Sequence, residues 1–133
     1  MVGNFGSDPI PGLAQLKPET TYLRILSGPK ANQFFSLNRL RSVIGRSHPP
    51  NFIADIDLSG CEQSAPPTIS RQHAVIQWGN NKLQIIDLAS RNGTFVNGEQ
   101  LLPLSAGQPS APVALTAGSK IKLGNLELEI VAS

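Results

Sequence analysis

Residues 120–130 read Lys-Ile-Lys-Leu-Gly-Asn-Leu-Glu-Leu-Glu-Ile, apolar and charged side chains in strict alternation, interrupted once by Gly-Asn. A period of two is the signature of a strand with one buried face, so this segment predicts a hairpin whose lysines and glutamates pair across the outer face. Two more hairpins follow the same logic. Thr94-Phe95-Val96 turns through Asn97-Gly98 into Glu99-Gln100-Leu101, where Asn-Gly suits the positive φ angles of a tight turn. His73–Trp78 passes through Gly79-Asn80-Asn81 into Leu83–Leu88. Further strands are expected at 22–27, 34–37, 42–46 and 55–58. No window of a dozen residues carries helical apolar spacing without a glycine or proline inside it. With 12 glycines and 11 prolines punctuating these runs, the expected fold is all-β, a two-sheet sandwich of many short strands.

At 133 residues the chain has room for one domain with a real core and not for two enzyme domains. The first twenty residues, with Pro9, Pro11 and Pro18, read as a flexible tail, so the domain is expected over 21–133. Thr20 and Thr21 stand at that junction as candidate phosphorylation sites. Cys61 is the only cysteine, which excludes an internal disulfide, and with His48 and His73 it matches no zinc spacing. Neither a basic start followed by an apolar core nor an apolar run of about 18 residues is present. These features predict an intracellular, cytoplasmic protein without metal, cofactor or membrane segment.

The net charge of +2 is too small to name a ligand, but the placement of the arginines is informative. Loops of a sandwich gather at its ends, so Gly45-Arg46-Ser47, Ser70-Arg71 and Ser90-Arg91-Asn92 can share one rim. Convergent guanidinium groups beside hydroxyl and amide donors suit a phosphate group.

The strings GRS at 45–47, ISRQHAVI at 69–76, DLASRNGTFVNG at 87–98 and LTAGSKIKLG at 115–124 resemble, in order and spacing, the signature blocks of the forkhead-associated (FHA) domain. The resemblance covers about 22–132. It implies a sandwich of eleven strands that binds phosphothreonine peptides at one end, and hence a Thr-phosphorylated protein or peptide as partner. Arg46 then corresponds to the arginine that grips the phosphate, and Ser70 to the serine that donates a hydroxyl to it. Arg71 stands at the following variable position, where a basic side chain adds a second contact, and Arg91 at a variable position on the edge of the site. Asn92 matches the asparagine that fixes the peptide backbone. Gly45, His73, Gly93, Asn97 and Gly98 match positions that shape loops. Thr68 falls where family members read the third residue after the phosphothreonine.

Other readings stand beside this one. Fold does not dictate function, so a phosphorylation-independent interaction or dimerisation module using a sheet face remains open. Nucleic-acid binding is disfavoured because basic and aromatic residues are not interleaved. His73 with Ser70 and Asp87 suggests a catalytic triad, but there is no G-x-S-x-G elbow, and the chain is not expected to be an enzyme. Trp78 and Phe95 are expected to pack in the core or between strands. The proline-bearing segment 47–69, around the strand expected at 55–58, implies extended loops beside the rim, and the Ala/Ser/Pro/Gly-rich stretch 103–117 lengthens the connection into Leu115.

Overall fold

The computed structural model describes residues 16–133 apart from Ser64. Eleven strands form two sheets: β1 (Thr21–Ile25), β2 (Phe34–Ser36), β3 (Arg41–Gly45), β4 (Ile56–Asp57), β5 (Ala74–Gly79), β6 (Lys82–Asp87), β7 (Thr94–Val96), β8 (Glu99–Gln100), β9 (Val113–Leu115), β10 (Lys120–Leu123) and β11 (Leu126–Ala132). One sheet has the order β2-β1-β11-β10-β7-β8 and the other β4-β3-β5-β6-β9. Only β3 and β4 run parallel among these pairings. This is the two-sheet sandwich that the alternation predicts.

The β10–β11 hairpin has the expected register, with Lys120 opposite Glu129 and Lys122 opposite Glu127. On the outer face Glu129 takes both Lys120 Nζ at 2.5 Å and Arg24 at 2.6 Å. The inner face of this sheet, with Leu23, Ile25, Ile121, Leu123, Leu126 and Leu128, packs on Ile44, Ile76, Leu83 and Ile85 of the other. Each such side chain contributes roughly 1.5–3 kcal/mol by leaving water. The turns Asn80-Asn81 and Asn97-Gly98 have positive φ at both residues, which matches the right-handed twist of the strands they join. Gly79, expected in the first of these turns, closes β5 instead.

Trp78 packs against the core, whereas Phe95 lies at the surface of its sheet. Trp78 is half-buried and donates its indole N–H to the Leu37 carbonyl at 2.7 Å. Phe95 lies on the outer face beneath Lys122, whose Nζ is 5.4 Å from the ring centre.

The start of the domain differs from the expected loose junction. Leu16 is buried, Pro18–Thr20 form a 3-10 turn, and Ser133 N–H donates to the Thr20 carbonyl at 2.8 Å. Thr21 is wholly buried and its hydroxyl donates to Lys17 O at 2.5 Å, so a kinase cannot reach it in the folded chain. The remainder of the expected tail, 1–15, lies outside the described residues. Among the described residues, no helix is long and apolar enough to cross a membrane.

Candidate phosphate-binding rim

Three loops meet at one end of the sandwich, and hydrogen bonds between them fix how they meet. β3 ends at Gly45, and Arg46 N–H donates to the Arg71 carbonyl at 3.1 Å. That contact is possible only because Gly45 has no side chain: a Cβ there would lie 1.8 Å from Arg71 O and 2.9 Å from Ser70 O. Arg91 N–H donates to Ser70 Oγ at 3.1 Å, which joins the β6–β7 loop to the segment before β5. Arg46, Ser70, Arg71, Arg91 and Asn92 therefore stand on adjoining loops at one rim.

The hydrogen bonds also decide which polar atoms face outward. Arg46 Nε donates to Ile69 O at 2.5 Å, which orients the guanidinium and leaves its two terminal amino groups unpartnered among the described residues. The Ser70 oxygen already accepts from Arg91, so its own proton is available to donate to another group. Asn92 gives one amide hydrogen to Thr68 O at 2.8 Å and is otherwise exposed. Arg71 and Arg91 are exposed, and among the described residues none of the three arginines has a carboxylate partner. The rim thus carries three uncompensated positive charges beside a hydroxyl donor.

His73 is wholly buried beneath the rim. Its Nδ1 accepts Ser70 N–H at 3.0 Å, so the ring proton sits on Nε2 and is donated to Gly93 O at 2.9 Å. His73 thereby ties two of the loops together and touches neither the Ser70 hydroxyl nor the Asp87 carboxylate in these bonds, so the triad geometry is absent. Asp87 instead organises the β6–β7 loop, accepting from Ser90 N–H, the Ser90 hydroxyl and the Thr94 hydroxyl. Asn97 and Gly98 lie away from the rim, and Asn97 Oδ1 accepts Lys120 N–H at 2.9 Å to dock the β7–β8 turn on β10.

Burial lowers the pKa of His73 below its ordinary 6.5, against the opposing pull of the Gly93 carbonyl and of Asp87 and Glu62. The unfolded chain then binds this proton more readily than the folded one. Stability supplied by neutral His73 is complete above pH 6.5 and is lost as pH falls from 6.5 toward the depressed folded value. Protonation would also place a second N–H on Nδ1, facing Ser70 N–H. We expect the melting temperature to fall as pH is lowered below 6.5, ahead of any carboxylate titration, with little change above it. A flat profile across that window would show that the buried ring is not linked to folding.

Two neighbours behave differently from their sequence reading. Ser47 does not face the rim: its hydroxyl accepts Ala54 N–H at 2.9 Å, and its own N–H goes to Asp57. Asp57 also takes the N–H and hydroxyl of Ser59, and although burial would raise its pKa, these bonds from Ser59 and Ser47 hold it at about 2. Thr68 turns its hydroxyl inward, to the Glu62 carboxylate and Asn125 N–H. Glu62 itself carried no signal in the sequence, because its partners lie on the far side of a proline-containing loop.

Residues 42–124, more than half of the chain, match the family model of the FHA domain. The chain belongs to the FHA-domain family. Its curated relatives include the glycogen accumulation regulator GarA of Mycobacterium tuberculosis, 29% identical over 121 residues that make up 90% of this chain and 62% of GarA. The chain therefore spans less than two thirds of that relative's length. Among solved structures, this FHA domain is similar to the FHA domain of the CT664 protein from Chlamydia trachomatis, with 28% identity, a TM-score of 0.64, and coverage of 86% of this chain and 98% of the other. It is also similar to Mycobacterium tuberculosis EmbR in complex with a low-affinity phosphopeptide, with 28% identity, a TM-score of 0.63, and coverage of 86% and 24%. The eleven-strand sandwich is thus the family fold.

Proposed function

We propose that this FHA domain binds a threonine-phosphorylated segment of a partner protein at the rim of Arg46, Ser70, Arg71, Arg91 and Asn92, and acts as a recruiting module rather than an enzyme. The observation that carries the reading is the pair of internal bonds that orient Arg46 and Ser70. Arg46 is held through Nε with both terminal amino groups free, and Ser70 has its oxygen occupied and its proton available. A phosphothreonine brings about −1.5 to −2 charges and three acceptor oxygens, which these donors complement; an unmodified threonine brings neither. Arg71 supplies further positive charge, Arg91 borders the site, and Asn92 holds the peptide backbone beside it. Family membership and the phosphopeptide on the similar EmbR support the reading. The recognition domain is taken to include Leu16 to Thr20, which the burial of Leu16 and the hydrogen bond to Thr20 tie to the sandwich.

A phosphothreonine peptide library is the direct test. The folded domain is expected to retain a subset of peptides and to release them on phosphatase treatment; a folded domain that ignores the whole library refutes the reading. Ser70→Ala removes one charge-assisted donor and is expected to weaken binding by roughly 1.5–3 kcal/mol, measured by calorimetry. Preference for phosphothreonine over phosphoserine rests on one methyl group, about 1 kcal/mol.

A further inference from the structure

Glu62 lies in the loop between β4 and β5, on no signature block, and its carboxylate is bound at several points. Oε1 and Oε2 each accept Thr68 N–H at 3.0 Å, Oε2 accepts Ile69 N–H at 3.1 Å, and Oε1 takes the Thr68 hydroxyl. The buried side chains of Cys61 and Ile69 anchor the chain on either side, so the carboxylate clasps the base of an exposed excursion through Pro66 and Pro67.

The clasped peptide groups are the ones that hold the rim. A planar peptide unit presents its N–H and C=O on opposite sides, so fixing one aims the other. The unit joining Thr68 to Ile69 gives its N–H to Glu62 and receives the Asn92 amide on its oxygen. The next unit gives the Ser70 N–H to His73 and receives Arg46 Nε on the Ile69 oxygen. Two consecutive peptides thus connect two buried or half-buried groups, Glu62 and His73, to the two side chains that face the ligand. The Thr68 hydroxyl extends the clasp to the β10–β11 turn, where Gly124 leaves no room for a side chain: a Cβ would lie 2.4 Å from Thr68 Oγ1.

We propose that Glu62 is a positioning residue of the phosphopeptide site, holding the 68–69 peptide so that Asn92, and through the next peptide Arg46, point toward the ligand. The proposal rests on the phosphopeptide reading above. It makes a prediction of opposite sign to simple electrostatics. A carboxylate beside a site for a dianion repels the ligand, so removing its charge alone would tighten binding. Removing the clasp loosens the donors and weakens it.

The test is the near-isosteric Glu62→Gln, which removes the charge and replaces one acceptor oxygen with an amino group facing N–H donors. Binding of a phosphothreonine peptide selected by the wild type is expected to weaken about tenfold, the effect of roughly one hydrogen bond's worth of lost alignment. In the unliganded protein, the NMR signals of the Asn92 side-chain amide and the Arg46 Nε–H are expected to shift and to exchange faster with water, with the melting temperature serving as a check on global folding. Glu62→Asp, which keeps the charge on a shorter side chain, is expected to fall between the two and carries the test if the glutamine variant does not fold. Wild-type-like or tighter binding by the folded variants, with unmoved Asn92 and Arg46 signals, overturns the proposal. A wild-type domain that binds no phosphothreonine peptide overturns it together with the functional reading, and is told apart because the failure then precedes any substitution.

Discussion

Arg46→Ala is expected to abolish phosphothreonine peptide binding, by at least about 100-fold, while the domain stays folded. The two terminal amino groups of Arg46 are the best-oriented positive donors on the rim, since Nε is fixed to Ile69 O at 2.5 Å. Charge-assisted bonds of this kind are worth roughly 1.5–3 kcal/mol each, so losing two exceeds what the exposed Arg71 and Arg91 can replace. The structural penalty is smaller, about 1.5–3 kcal/mol for the single lost Nε bond, and a thermal melt should show it as a shift without loss of the folded state. Arg46→Lys should not restore wild-type binding, because a single ammonium nitrogen lacks the planar fork in which Nε holds Ile69 O while two separate terminal nitrogens face the phosphate. Calorimetry with matched phosphorylated and unphosphorylated peptides decides the matter. Equal binding by wild type and Arg46→Ala would move the interaction to another surface, such as a sheet face.

Gly45→Ala is expected to cost about 3 kcal/mol or more of stability for a single added methyl group. The added carbon would sit 1.8 Å from the Arg71 carbonyl oxygen and 2.6 Å from its carbon, both backbone atoms that no rotamer change can remove. Relief requires β3 and the 70–71 segment to separate, which breaks the Arg46 N–H to Arg71 O bond and with it the join between two loops of the rim. Chemical denaturation should show a lower midpoint, and any folded fraction should bind phosphopeptide poorly. A variant with wild-type stability would mean that the rim tolerates a shift of more than an ångström. Gly118 offers the contrast: its φ is positive, +87°, but nothing lies within 4 Å of its would-be Cβ, so substitution there meets only backbone strain.

Much of the fold was legible because strand and turn chemistry are local. The register of β10 and β11 follows from one run of eleven residues, and the turns at Asn97-Gly98 and Gly124 follow from dipeptides. The approach of the three arginine-bearing loops was also anticipated, since a sandwich collects its loops at its ends. What remained hidden depends on contacts across long separations. Glu62 bears no local pattern, and its bonds to Thr68 and Ile69 exist only because Cys61 and Ile69 are both buried in the core. Thr68, expected to face a peptide, turns inward because that carboxylate and Asn125 N–H claim its hydroxyl. Ser47 is likewise drawn into its own loop by Ala54. Leu16 to Thr20, proline-bearing and without alternation, read as tail because nothing in those residues announces that Ser133 will hydrogen-bond to them.

The class of fold, three hairpins and the family are legible in the residues alone, because alternation, tight-turn dipeptides and four ordered motifs are properties of short segments. Which donors are free is a property of the folded chain. Whether a given N–H, hydroxyl or guanidinium faces a ligand depends on whether a distant backbone group has already satisfied its other bonds, and for Arg46, Ser70 and Asn92 those groups are Ile69 O, Arg91 N–H and Thr68 O. A buried or half-buried polar atom must find a partner, and the partner it finds across the fold fixes the direction of the bonds left over.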